Sequence, residues 1–154
     1  MPREWMPESL WEKVKHHMPI PCVDVLLENN HGEILLGWRR ILPYRNVWAL
    51  VGGRIFRGER LETAAARIIA QYGMSTRNMF LVGVFPIRFP SRADISVCIA
   101  GTFPEGKATP DGLEFSSFRW TKRLPKRIGA NYGRMIKQWW KMKNTRDVLK
   151  FSRL

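Results

Sequence analysis

"NVWALVGGRIFRGERLETAAARIIAQYGM", residues Asn46–Met74, is the stretch whose reading decides the fold. "VWALVGG" is a short apolar strand ended by the pair Gly52-Gly53, and a basic loop follows. From Glu59 to Tyr72 the residues Leu61, Ala65, Ile68, Ile69 and Tyr72 recur at helical spacing, and Gly73 stands where such a helix would stop. A strand that leaves through glycines and enters a helix can build a diphosphate site. Glycine lets the backbone approach closely, and a helix N-terminus offers N–H groups and a favourable dipole end. The helix is poor in acids, however: Glu59 and Glu62 lie at its beginning and none follows to Tyr72.

Upstream, "PESLWEKVKHHM" predicts a short helix, and Val23 to Arg39 predicts a hairpin turning through "NNHG". "ILPYRN" reads as a loop. Downstream, "MFLVGVFPIRF", "DISVCIAGTF" and "SFRWT" predict strands, "PEGKATPDG" a loop, and Asn131 to Met142 a helix with Tyr132, Met135, Ile136 and Trp139 on one face. Strands outnumber helices and no repeat or linker interrupts them. The expectation is an α+β chain, an α/β/α sandwich with a mixed β-sheet between helices. It is expected to form a single domain over 1–154, with an N-terminal helical extension over 1–18 and a basic C-terminal helix and tail over 129–154.

The chain has 154 residues, enough for one real core. Its apolar runs are far too short to span a bilayer. The mixed-charge N-terminus does not read as a secretory signal. Cys22 and Cys98 each sit in an apolar run and read as reduced core residues, which points to a cytoplasmic setting. His16, His17 and His31 read as surface residues. Net charge is +13, with 26 Lys and Arg against 13 Asp and Glu. That balance favours an anionic partner. The excess is concentrated from Arg119 onward, where twelve basic residues face the single acid Asp147.

On these residues the chain resembles the Nudix hydrolases. Their signature box runs G-x5-E-x7-R-E-U-x-E-E-x-G-U, with U a bulky apolar residue, and Gly53, Glu59 and Arg67 fit it. Ile68 stands at the next glutamate position, Gln71 and Tyr72 at the two later ones, and Gly73 arrives one residue early, so the box is degenerate. From Pro21 to Trp120 the chain is similar to the GDP-mannose mannosyl hydrolase branch. That resemblance implies GDP-sugar contacts at Asp24, Arg39, Arg54 and Arg67. It also implies a divalent ion, Mg²⁺ or Mn²⁺, at Gly52, Glu59 and Glu114 if the protein is active. The branch's general-base histidine falls on Phe115, which cannot take a proton, so the base is expected at Glu114 or Asp111. Plainer roles stand beside these. Arg67 suits an ion pair with Glu59, Asp24 a strand-edge hydrogen bond, Arg39 a solvated strand end, and Glu114 a loop pairing with Arg119 or a lysine.

The basic segment offers a second reading. Arg134, Lys137 and Lys141 share one helical face, with Lys143 and Arg146 beyond. "RWTKRLPKR" and "KMKNTRDVLKFSR" interleave cations with aromatics, as phosphate binding with stacking requires. The alternative to a nucleotide-sugar or other nucleoside diphosphate hydrolase is thus a catalytically inactive Nudix fold that binds RNA, DNA or the ribosome. A plainer alternative is an amphipathic helix with a solvated basic face. A homodimer is a further expected partner.

Overall fold

A computed structural model of the chain describes residues 5–146 and 149–150. The elements are α1 (Glu8–His17), β1 (Ile20–Glu28), β2 (Ile34–Arg39), β3 (Val47–Ala49), β4 (Val51–Arg54), α2 (Leu61–Ala70), β5 (Met74–Ser75), β6 (Asn78–Arg88), β7 (Ala93–Thr102), β8 (Glu105–Gly106), β9 (Phe115–Thr121), α3 (Ala130–Thr145) and β10 (Leu149–Lys150). Eight strands form one mixed sheet in the order β10-β6-β7-β1-β2-β3, with β4 also paired to β1 and β9 to β2. The β1–β7 pair is parallel. The other pairings in this sheet are antiparallel.

The expected α+β architecture, a mixed sheet between helices, is the observed one. α2 packs on β1 and β4, and α3 packs on β6. Ala64, Ala65, Ile68 and Ile69 supply the buried stripe of α2, and Tyr132, Met135, Ile136 and Trp139 that of α3. Asp24 pairs in register with Gly52, and Val23 with Gly53. Side chains alternate along a strand, so these two successive pairs face opposite layers. Asp24 therefore faces the α3 side, where Tyr132 lies near it, while Gly53 abuts Ile68 of α2. Both cysteines are free and buried. No helix among the described residues is long and apolar enough to cross a membrane.

Four local expectations need correction. "VWALVGG" is two strands rather than one: β3 pairs with β2, β4 with β1, and Leu50 at the break is fully buried. The central helix starts at Leu61 rather than Glu59, because Arg60 is extended and the Glu59 carboxylate accepts the Phe56 N–H at 3.0 Å. "PEGKATPDG" is not wholly loop, since Glu105–Gly106 pairs with Met74–Ser75. α3 runs three residues past Met142, ending where Arg146 takes a left-handed φ of 58°. Gly73, with φ of 77°, turns the chain after α2 as expected.

Candidate functional site

A polar cavity of about 290 Å³ opens on the α3 side of β1. Its floor comes from two neighbouring parallel strands. Asp24 and Cys22 project from β1, and Asp94 and Ser96 from β7. Gly52-Gly53 and Arg54 of β4 form one wall. Arg39, the 41–44 loop and Glu114 form another, and Tyr132 of α3 lines the cavity too. Gly52 is required here, because a Cβ at that position would collide with the Asp24 carboxylate and crowd the Val23 carbonyl.

The three guanidinium groups of the cavity are held in different ways. Arg39 is ion-paired to Glu114 and also donates to the Ile41 and Leu42 carbonyls, each at 3.2 Å. Arg92 donates to Asp94 at 2.9 Å. Arg54 has no carboxylate partner among the described residues. Its guanidinium lies 4.4 Å from the centre of the Trp11 ring and 5.3 Å from that of Trp5, so α1 and the segment before it steady it through aromatic faces.

Burial dominates the acids. Asp24 is 8% exposed and accepts a hydrogen bond from the Ser96 hydroxyl. Desolvation pushes its pKa up to about 6, against the opposing pull of Ser96 and Arg39. Glu114 is likewise raised by burial, with Arg39 opposing. Burial pushes the Cys22 thiol up to about 12, Asp94 adding to the effect, so it is a poor nucleophile at neutral pH. Asp94 Oδ1 and Arg92 Nε are buried without a hydrogen-bond partner among the described residues. The chemistry on offer is one uncompensated cation for an anion, buried carboxylates for hydroxyl or N–H donors, and two carboxyl groups, Asp24 and Glu114, whose proton affinity burial raises.

The structure brings together Asp24, Arg39, Gly52, Arg54 and Glu114 from the sequence-derived set. Glu114 pairs with Arg39, not with Arg119 or a lysine. Arg67 and Glu59 do not line the cavity. Arg67 Nε donates to Glu59 Oε1 at 2.8 Å, and Nη2 to Glu59 Oε2 and the Arg54 carbonyl at 3.0 and 2.8 Å. The Glu59 side chain is only 4% exposed, and this ion pair ties the loop to α2. Asp111 is an exposed turn residue whose carboxylate accepts the Leu113 and Phe115 N–H groups.

The metal set Gly52, Glu59 and Glu114 is not assembled. Among the described residues no three His, Cys, Asp or Glu side chains converge to hold an ion. Glu59 is held by Arg67, Glu114 by Arg39, and Glu62 by Arg60. A hard divalent ion needs oxygen ligands that face it together. These carboxylates instead face guanidinium groups, so the donor set does not fit Mg²⁺ or Mn²⁺.

Of the cations expected on the C-terminal helix, Arg134, Lys137, Lys141 and Arg146 are exposed. Lys143 departs from them, because it donates to buried Glu28 at 2.7 Å, beside the Trp139 indole N–H at 3.0 Å. Asp147 and residues 151–154 of the basic tail lie outside the described residues. Sequence reasoning missed Arg92, Asp94, Ser96 and Tyr44 at the site. For the β7 pair a signal existed: Asp94 and Ser96 are polar residues at alternate positions of an apolar strand, which places both on one face.

Comparison with known proteins agrees with this architecture. The chain is 33% identical over 67 residues to the low-salt glycan biosynthesis protein Agl8 of Haloferax volcanii, a match covering 44% of this chain and 42% of that one. It is 32% identical over 115 residues to a putative 8-oxo-dGTP diphosphatase of Bacillus subtilis, covering 73% and 74%. The NUDIX domain of Shewanella oneidensis NrtR, solved with ADP ribose, superposes with a TM-score of 0.69 at 18% identity, covering 90% of this chain and 99% of that one. The family profile described as the NUDIX domain matches residues 18–124, a span that holds every residue lining the cavity except Tyr132. The chain belongs to the NUDIX domain family.

Proposed function

We propose that the cavity binds a nucleoside diphosphate derivative of the GDP-sugar type, with Arg54 on the diphosphate. The observation that carries this reading is the state of Arg54. It lines the cavity beside Gly52-Gly53 and has no carboxylate partner among the described residues. Arg39 and Arg92 are neutralised by Glu114 and Asp94, so the free positive charge of the cavity is at Arg54. Asp24 and Asp94 suit hydroxyl or N–H donors of a sugar or base. The relatives support the class: one is named for glycan biosynthesis, one as a nucleotide diphosphatase, and one was solved with ADP ribose.

Hydrolysis in this reading is slow. Glu114 is the base, a carboxylate whose proton affinity is raised by burial, and it must part from Arg39 to act. The carboxylates present among the described residues face guanidinium groups and do not fit Mg²⁺ or Mn²⁺. Calorimetry with GDP-mannose, ADP-ribose and a dinucleotide tests binding. Arg54→Ala should weaken it by about tenfold or more, the loss of one charge-assisted hydrogen bond. Absence of binding to every compound would overturn the proposal. In a turnover assay Glu114→Gln should lower the rate, while Glu62→Gln, whose carboxylate rests on Arg60 outside the cavity, should not.

A further inference from the structure

The edge of the sheet formed by β2, β3 and β9 carries a second feature, separate from the cavity. Trp38 and Trp48 are direct partners across β2 and β3, and their rings meet edge to face at 5.3 Å. Arg119 of β9 pairs with Leu36, two residues before Trp38, so it shares their face. Its guanidinium lies 4.0 Å from the centre of the Trp48 ring. Indole and guanidinium are both flat, and a nucleobase stacks on either.

The backbone that carries the cations beside this platform is anchored. Lys122, Arg123, Lys126 and Arg127 lie on the segment between β9 and α3 and are exposed. That segment is anchored at both ends. Thr121 Oγ1 donates to the Arg123 carbonyl at 2.8 Å, and the Trp48 N–H donates to the Arg127 carbonyl at 2.7 Å. Leu124 and Ile128 pack on the core beneath. Among the described residues none of these cations, nor Arg119, forms an ion pair with a carboxylate, and none lines the cavity.

We infer that Trp38, Trp48 and Arg119, with the basic segment 121–127, form a binding surface for single-stranded nucleic acid. The cations meet phosphates while the stacked aromatic and guanidinium planes meet bases. A duplex hides its base faces and leaves such a platform unused. An acidic membrane fits less well, because no large apolar side chain among the described residues is exposed on the basic segment 121–127 for insertion beside its cations. The sequence had pointed to "RWTKRLPKR", to the outer face of α3 and to the tail for this role. The structure favours the first of these, with Trp38 and Trp48 added, because charge and flat stacking surfaces coincide there.

Fluorescence anisotropy of the full chain with a short single-stranded oligonucleotide tests the inference. Binding at low salt is expected, and Arg119→Gln/Arg123→Gln/Lys126→Gln should flatten the slope of log K against log salt by about 2, at roughly 0.7 for each phosphate no longer neutralised. An abasic strand of equal length should bind at least about fivefold more weakly than the intact strand, since stacking is then lost. A nucleoside diphosphate sugar should not compete. The inference is overturned if no oligonucleotide binds at low salt, or if the abasic strand binds equally well. It is also overturned if Arg134→Gln/Lys137→Gln/Lys141→Gln removes as much affinity, if the nucleotide sugar displaces the strand, or if phosphatidylserine vesicles bind where oligonucleotides do not.

Discussion

The positive charges of the cavity half and those of the strip from β9 to α3 are held in opposite ways. In the cavity half three guanidinium groups rest on carboxylates, Arg39 on Glu114, Arg92 on Asp94 and Arg67 on Glu59. Arg54 is the exception, lying over the Trp11 and Trp5 rings with no carboxylate partner among the described residues. In the strip the cations are exposed and, among the described residues, stand without carboxylates, Lys143 excepted. A cation with a buried partner is part of the structure, and removing it leaves a desolvated charge uncompensated. A cation without one leaves its charge available to something outside the chain. The contrast separates residues whose loss unfolds the molecule from residues whose loss only changes what it binds.

The sharpest way to break this contrast is Arg67→Met. It would take the Arg67 guanidinium away from the nearly buried Glu59 carboxylate, and breaking such a pair costs about 3–5 kcal/mol. Thermal unfolding should then fall by roughly 2–4 °C for each kcal/mol lost. An unchanged midpoint would show that this pair is not structural.

Asp24→Asn should act in the other direction. The folded pKa of Asp24 is raised from 3.8 to about 6. Its contribution to stability is therefore fully present below the unfolded value and is lost as pH rises through about 6. The buried charge is a penalty on the order of 2–3 kcal/mol above that range. The variant should melt higher than the wild type at pH 8, with the gain shrinking as pH falls toward 4. A gain independent of pH would assign the effect to packing instead.

Lys143→Met tests the exception within the strip. Glu28 would keep the Trp139 N–H but lose its ammonium, at a cost of about 1–2 kcal/mol, between that of a surface pair and a buried one. The smallest effect belongs to Lys137→Gln and Lys141→Gln, each expected within about 0.5 kcal/mol of wild type in chemical denaturation. A larger loss at either would mean that the exposed helix face makes contacts beyond those described.

These differences also mark what could be read from the sequence. The hairpin of β1 and β2 and the strands β6 and β7 were legible as apolar runs bounded by turn residues, and α2 and α3 by their helical period. The ion pair of Glu59 and Arg67 was legible as an alternative, since both lie in one short motif. The partner of Glu114 was not. Arg39 is 75 positions away, and local spacing carries no information about such a meeting. The stacking of Trp5 and Trp11 on Arg54 was hidden for the same reason. The β5–β8 ribbon escaped notice because two residues per strand are too few to show a period.

The parallel pairing of β1 with β7 also governs when a working cavity comes to exist. The hydrogen bond from Ser96 to Asp24 spans 72 positions, and Tyr132 joins from a helix later still. During synthesis β1 emerges early, its polar residues awaiting a neighbour that the ribosome has not yet supplied. Closing so long a loop is an entropic barrier to folding, and non-local pairing of this kind slows it. A compound that fits the cavity stabilises the completed molecule alone. In a refolding experiment it would protect finished chains from unfolding without capturing β1 on its own.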